Sequence, residues 1–130
     1  MKKILIIEDD SFLQGLESTK LKKEGYETIA VSHKDEILKA IDTENADVIL
    51  LDLMLPEIDG FDVLKKIREN LKFVKTPVVV FSNLSEDKDI DKAKALGANE
   101  FMVKASFTLD ELVEKIKALL AAQTTSEDQP

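Results

Sequence analysis

The feature that most constrains this chain is the regular alternation of short aliphatic runs with longer amphipathic stretches. Ile4–Ile7, Thr28–Val31, Val48–Leu51, Val78–Phe81 and Phe101–Val103 are too short for stable helices and rich in β-branched or bulky apolar residues, so each reads as a strand. The segments between them carry helical spacing. Ser11, with Gln14 three residues on, has the pattern of a capping box and predicts a first helix that ends near Gly25. Lys34–Thr43 places Ile37, Ala40 and Ile41 on one face. Phe61, Leu64, Ile67 and Leu71 recur at helical spacing after a loop punctuated by Pro56 and Gly60. Ser85 is placed to cap a fourth helix that stops at Gly97, with Glu86 and Asp87 in its first turn. Thr108 and Glu111 form a second capping-box pattern, followed by Leu109, Leu112, Val113, Ile116, Leu119 and Leu120 on one face. Strands alternating with helices require a parallel sheet covered on both faces, a doubly wound α/β fold. Val48–Leu51 is apolar at every position and belongs near the middle of that sheet.

With 130 residues there is material for one domain, expected over residues 1–122. The remaining polar stretch, Gln123–Pro130, has no aliphatic residue and is expected to be a disordered tail, with no output domain after it. The absence of cysteine excludes disulfides and thiolate metal sites, and the single histidine, His33, excludes any site needing two imidazoles. The excess of 26 acidic over 18 basic residues gives a net charge of −8, which weighs against nucleic acid or an anionic membrane as a direct partner. Solubility is the plain reading of that charge. Apolar runs such as Val78–Phe81 are far too short to span a bilayer and no signal-peptide pattern opens the chain, so a cytoplasmic protein without membrane insertion is expected.

In an open parallel sheet, ligands bind beyond the carboxyl ends of the strands. The residues there are Glu8, Asp9 and Asp10 after the first strand, Asp52 after the third, Ser82 and Asn83 at the fourth, and Lys104 after the fifth. Carboxylates crowded in this way repel one another, and a hard divalent cation relieves the repulsion. Oxygen ligands without His or Cys favour Mg2+ over zinc. With a lysine and a hydroxyl in the same layer, the set suits phosphoryl transfer onto a carboxylate. Each residue also has a plainer reading: Asp10 can cap the first helix, and a lone Asp, Ser or Lys at a strand end is ordinarily just solvated. Their joint occurrence in one layer is what points to chemistry.

Over nearly all of Lys2–Ala121 the sequence resembles the receiver domain of two-component response regulators, of the stand-alone single-domain type. KILIIEDD is similar to that family's first strand and acidic pair, at Glu8 and Asp9. VILLDLMLPEIDGFDVL resembles its acceptor strand and loop, with Asp52 as acceptor and Pro56 and Gly60 following. VVVFSN resembles the strand carrying the switch hydroxyl, here Ser82, and GANEFMVK the strand carrying the switch aromatic and the lysine, here Phe101 and Lys104. The resemblance implies a flavodoxin-like (βα)5 fold with strand order 2-1-3-4-5. It implies that Asp52 takes a phosphoryl group from a histidine kinase or phosphotransfer protein, with Mg2+ held by Glu8, Asp9, Asp52 and the backbone carbonyl of Met54. Lys104 would then pair with the phosphoryl group, Ser82 would move to it, and Phe101 would change rotamer. A protein effector would read the face made by the fourth helix, fifth strand and fifth helix, or the phosphate would pass onward.

Three positions depart from the family pattern. Ala105 stands where a proline usually follows the lysine, often after a cis bond, so the Lys104–Ala105 bond is either trans with a rearranged loop or a strained cis bond. Asn83 replaces a small residue, and Phe101 stands where tyrosine is frequent. Met54 and Leu84 flank the acceptor and cannot orient water, which predicts slow autodephosphorylation. Leu53, Leu55 and Ile58 either form an exposed apolar patch or pack beneath the loop, and His33 reads as a surface residue rather than a phosphorelay histidine. Three functions compete. The first is a phosphorylation-controlled signalling switch, which is not an enzyme on other substrates. The second is a pseudo-receiver that works as a phosphorylation-independent adaptor. The third is a phosphatase with an aspartate nucleophile, against which stands Met54 where a second acid would be wanted.

Overall fold

The computed structural model describes the backbone of residues 1–128 and the side chains through Gln123. In chain order the elements are β1 (Lys3–Ile7), α1 (Ser11–Lys23), β2 (Glu27–Val31), α2 (Lys34–Thr43), β3 (Val48–Leu51), α3 (Gly60–Glu69), a 3-10 turn (Leu71–Phe73), β4 (Val78–Ser82), α4 (Asp87–Ala95), β5 (Glu100–Val103) and α5 (Leu109–Asp128). All strand pairs are parallel, in the order β2-β1-β3-β4-β5. Side chains alternate across a strand, so each aliphatic run feeds two cores. Ile4, Ile6, Val48, Leu50, Val79, Phe81 and Met102 face a cluster completed by α1 and α5 through Leu21, Leu112, Val113, Ile116 and Leu120. Leu5, Ile7, Ile49, Leu51, Val78 and Val80 face the other, completed by α2, α3 and α4 through Ile37, Ile41, Val63, Leu64, Ile67 and Ala93. The chain leaves β1 toward β2 on one side and reaches β3 on the other. The order therefore reverses between β1 and β3, and a crevice opens at their carboxyl ends.

Several local expectations are corrected. The cap of α1 is Asp10, whose carboxylate accepts from the Leu13 amide at 3.1 Å, while Ser11 is already helical. Gln14 is not free for a capping box, because its side-chain amide donates to the Glu8 carbonyl and the Ser32 hydroxyl, both at 2.9 Å. α4 begins two residues after Ser85, with extended Glu86 as its cap residue. Leu71 lies outside α3 in the 3-10 turn and is 88 % exposed, because Asn70 is extended and ends the helix before the periodic position is reached. Among the described residues no peptide bond is cis, so Lys104–Ala105 is trans. The backbone of α5 is helical to Asp128, and residues 129–130 of the expected tail lie outside those described. The capping box of α5 is present: Thr108 Oγ1 accepts from the Glu111 amide at 3.1 Å and Glu111 Oε1 from the Thr108 amide at 2.9 Å. Among the described residues no helix is long and apolar enough to cross a membrane.

Candidate functional site

The site residues stand one position past their strands and are held by the last rung of each ladder. The Asp52 amide donates to the Ile7 carbonyl at 2.9 Å, the Glu8 amide to Val31 at 3.2 Å, and the Lys104 amide to Ser82 at 2.8 Å. A carboxylate placed by a ladder bond has only its side-chain torsions left to vary, so the pocket is preorganised by the sheet. After β3 the chain turns so tightly that a Cβ on Gly60 would overlap the Leu53 backbone. That close approach lets the Gly60 amide donate to Leu53 at 3.2 Å and starts α3 beside the pocket.

Within the crevice, Asp52 and Glu8 are 4 % and 2 % exposed, whereas Asp9 is open to solvent. One carboxylate oxygen from each of Glu8, Asp9 and Asp52 lies within 4.8 Å of the others, a spacing that one hard cation can span. Lys104 Nζ bridges the two buried acids, 2.7 Å from Asp52 Oδ2 and 2.8 Å from Glu8 Oε1. The other Asp52 oxygen accepts from the Met54 amide at 2.9 Å, and Glu8 Oε2 from the Asp10 amide at 3.1 Å. Burial pushes the Glu8 carboxyl up to about 7, with the Asp52 charge adding to it, against the bonds from Lys104 and the Asp10 amide. For Lys104 burial pulls the other way. The hydrogen bonds to Asp52 and Glu8 and their charges outweigh it and leave the ammonium raised. Ser82 is fully buried, its Oγ 3.4 Å from the Leu84 amide, and Phe101 is half-buried against the α2–α3–α4 core.

A family model for the response regulator receiver domain matches residues 4–117. The chain belongs to the response regulator receiver domain family. The alkaline phosphatase synthesis transcriptional regulatory protein PhoP of Bacillus subtilis is 36 % identical over 120 residues, covering 92 % of this chain and 48 % of that protein. The sensory transduction protein RegX3 of Mycobacterium tuberculosis is 35 % identical over 122 residues, covering 92 % of this chain and 51 % of its own length. The receiver thus spans about half the length of these curated relatives. Among solved structures, the receiver domain of the Francisella response regulator 1452 aligns with a TM-score of 0.84 at 29 % identity, covering 95 % of this chain and 99 % of that one. The CheY-like receiver domain protein of Methanospirillum hungatei aligns with a TM-score of 0.89 at 25 % identity, covering 97 % and 98 %.

In this receiver every residue named from the strand ends lies at the same edge of the sheet, and Glu8, Asp9, Asp52 and Lys104 are brought together in one pocket. Asn83 is exposed at its rim, as is Met54. Leu53 is buried, and Leu55 and Ile58 pack against the core, so these three sit beneath the loop rather than forming an exposed patch. His33 caps α2 on the surface, and its ring Nδ1 lies 3.2 Å from Glu57 of the β3–α3 loop. Sequence reasoning missed two residues. Gln14 ties the loops after β1 and β2 together through its side-chain amide. Glu17 is 2 % exposed, and neither of its oxygens has a hydrogen-bond partner among the described residues. The available signal for Glu17 was its place between Leu13 and Leu21 in the inward stripe of α1, where an apolar residue is expected.

Proposed function

We propose that this receiver is a phosphorylation switch whose acceptor is Asp52. The observation that carries the reading is a buried carboxylate at the topological switch point, 2.7 Å from the Lys104 ammonium and clustered with Glu8 and Asp9. All-oxygen donors of this number suit Mg2+, held by Glu8, Asp9, Asp52 and the Met54 carbonyl, and such an ion would neutralise charge between acceptor and incoming phosphoryl group. A carboxylate oxygen of Asp52 attacks the phosphorus of a phosphohistidine on a kinase or phosphotransfer protein. The O–P bond forms as the P–N bond breaks, and the electron pair returns to the imidazole. Lys104 leaves the carboxylate pair to meet the phosphoryl oxygens, exchanging one anionic partner for another. Ser82 Oγ, held among the described residues by a long contact to the Leu84 amide, is available to turn toward the new group, and Phe101 follows on the adjacent strand.

Phe12, Leu16, Met54 and Phe107 are large apolar residues left exposed on α1, the β3–α3 loop and the β5–α5 loop. Met54, whose amide donates to Asp52, offers a protein phosphodonor an apolar contact beside the acceptor. Met54 and Leu84 cannot orient an attacking water, which supports slow loss of the phosphoryl group. A phosphoryl group adds about −1.5 to −2 charges at neutral pH, enough to bias the α4–β5–α5 face toward a protein effector.

The test is the intact mass after incubation with Mg2+ and a small acyl phosphate, for wild type and Asp52→Asn. One added phosphoryl group in the wild type and none in the variant supports the reading. Equal addition to both would move the acceptor elsewhere. No addition to either, with a cognate kinase also tried, would leave the adaptor reading in its place.

A further inference from the structure

Glu17 is an acid that the phosphorylation chemistry does not use. It lies on the face of α1 that carries Leu13 and Leu21, one turn from each, and both leucines pack into the apolar cluster shared with α5. Its side chain is as buried as the core aliphatics, yet neither carboxylate oxygen has a hydrogen-bond partner among the described residues. A carboxylate cannot be left bare in such a place, whereas a neutral acid is tolerated at the modest cost of an unpaired polar group. The charged groups around it leave little compensation. Glu8 beyond β1, Asp52 beyond β3 and Asp10 at the start of α1 all oppose a negative charge, and Lys104 beyond β5 is already shared between Glu8 and Asp52. From α5, Asp110 and Lys117 are taken up at the surface by Lys20 and Glu24 of α1 and its cap.

We propose that Glu17 seats α1 as a neutral carboxylic acid, and that losing its proton unseats the helix, making the α1 edge of the receiver a proton-sensitive element. Burial, with the Glu8 charge next, pushes this carboxyl up to about 8. The folded protein therefore keeps a proton that the unfolded chain gives up near 4.5, and stability falls as pH rises from 4.5 to about 8. α1 also carries Phe12 and Leu16, and Gln14 fastens it to the loops after β1 and β2. Any effect on phosphodonor docking rests on the function proposed above; the seat itself does not.

The experiment is read without phosphorylation. Thermal unfolding and amide exchange of α1 would be compared at pH 6 and pH 9 for wild type, Glu17→Gln and Glu17→Leu, and the carboxyl carbon of Glu17 would be titrated by NMR in the wild type. The expected result is a carboxyl midpoint well above the ordinary range. The unfolding midpoint should drop between the two pH values by roughly 5 °C more in the wild type than in either variant. Exchange in α1, corrected for intrinsic rate, should quicken only in the wild type. Glu17→Leu, which completes the apolar stripe, serves if Glu17→Gln fails to fold. A Glu17 carboxyl that titrates near 4.5, or parallel pH profiles in wild type and variants, would overturn the proposal.

Discussion

At the scale of single residues, the pocket is governed by one ammonium holding two buried acids. Lys104 reaches Asp52 and Glu8 at 2.7 and 2.8 Å, and neither acid has another cation within ion-pair distance among the described residues. Removing one member of a buried pair leaves uncompensated charge, at a cost of about 3–5 kcal/mol. Lys104→Ala is therefore expected to lower the urea-unfolding free energy by roughly that amount at pH 8. The loss should shrink at pH 5, because Glu8, which burial already pushes up to about 7, can then neutralise itself. Mg2+ should recover part of the loss at pH 8 by taking the place of the ammonium. A loss unchanged by pH would mean that Lys104 contributes packing rather than charge.

Among the secondary-structure elements, Arg68 fastens the C-terminal end of α3 to the amino-terminal edge of the sheet, opposite the pocket. Its guanidinium donates to the carbonyls of Phe73 at 2.6 Å, Thr76 at 2.7 Å and Gly97 at 2.8 Å, and to the Asn99 side chain at 2.8 Å. No carboxylate shares it among the described residues, and burial lowers its pKa, so it acts as a fork of donors rather than as half of an ion pair. Gly97 is needed beside it twice over. Its φ of +110° is unfavourable for other residues, and a Cβ there would lie 2.7 Å from the Arg68 Nε. Arg68→Lys keeps the charge but loses the fork. It should destabilise the domain by about 2–3 kcal/mol, because the carbonyls lose their donors. Chemical denaturation at pH 7 measures this. A change within 0.5 kcal/mol, the usual range for an ordinary surface substitution, would show that water replaces the guanidinium without loss.

Across the whole molecule, the carboxyls of Glu8 and Glu17 set the pH dependence together. Both are raised in the folded state, to about 7 and about 8 from 4.5, so the folded protein binds more protons than the unfolded chain throughout that window. Stability should be greater at pH 5.5 than at pH 8.5 when no divalent cation is present. Saturating Mg2+ should reverse much of the Glu8 part of the decline, since the ion requires that carboxylate deprotonated, and little of the Glu17 part. Urea midpoints at the two pH values, with Mg2+ and with chelator, check this. A midpoint that rises with pH in chelator would contradict both assignments.

Much of this receiver is legible in its sequence, because the signals are local. A buried parallel strand must be apolar at successive positions, so β1, β3 and β4 stand out in the aliphatic runs. The residue after such a strand must lie at the sheet's carboxyl edge, so the sequence alone places Glu8, Asp52 and Lys104 in one layer. Tertiary structure decided the rest. Gln14 ties the loops after β1 and β2 together only because Glu8 and Ser32 come beside α1 in the fold. Leu71 is exposed because the chain leaves the helix at Asn70. Lys104 holds Glu8 as well as Asp52 only because β1, β3 and β5 end at the same edge. Glu17 differs most from its sequence appearance, since an acid in an amphipathic helix is ordinarily a solvated one. Periodicity reports which face of an element turns inward, a property of the element alone. Which groups meet on that face, and whether a charge there finds a partner, depends on elements distant in sequence.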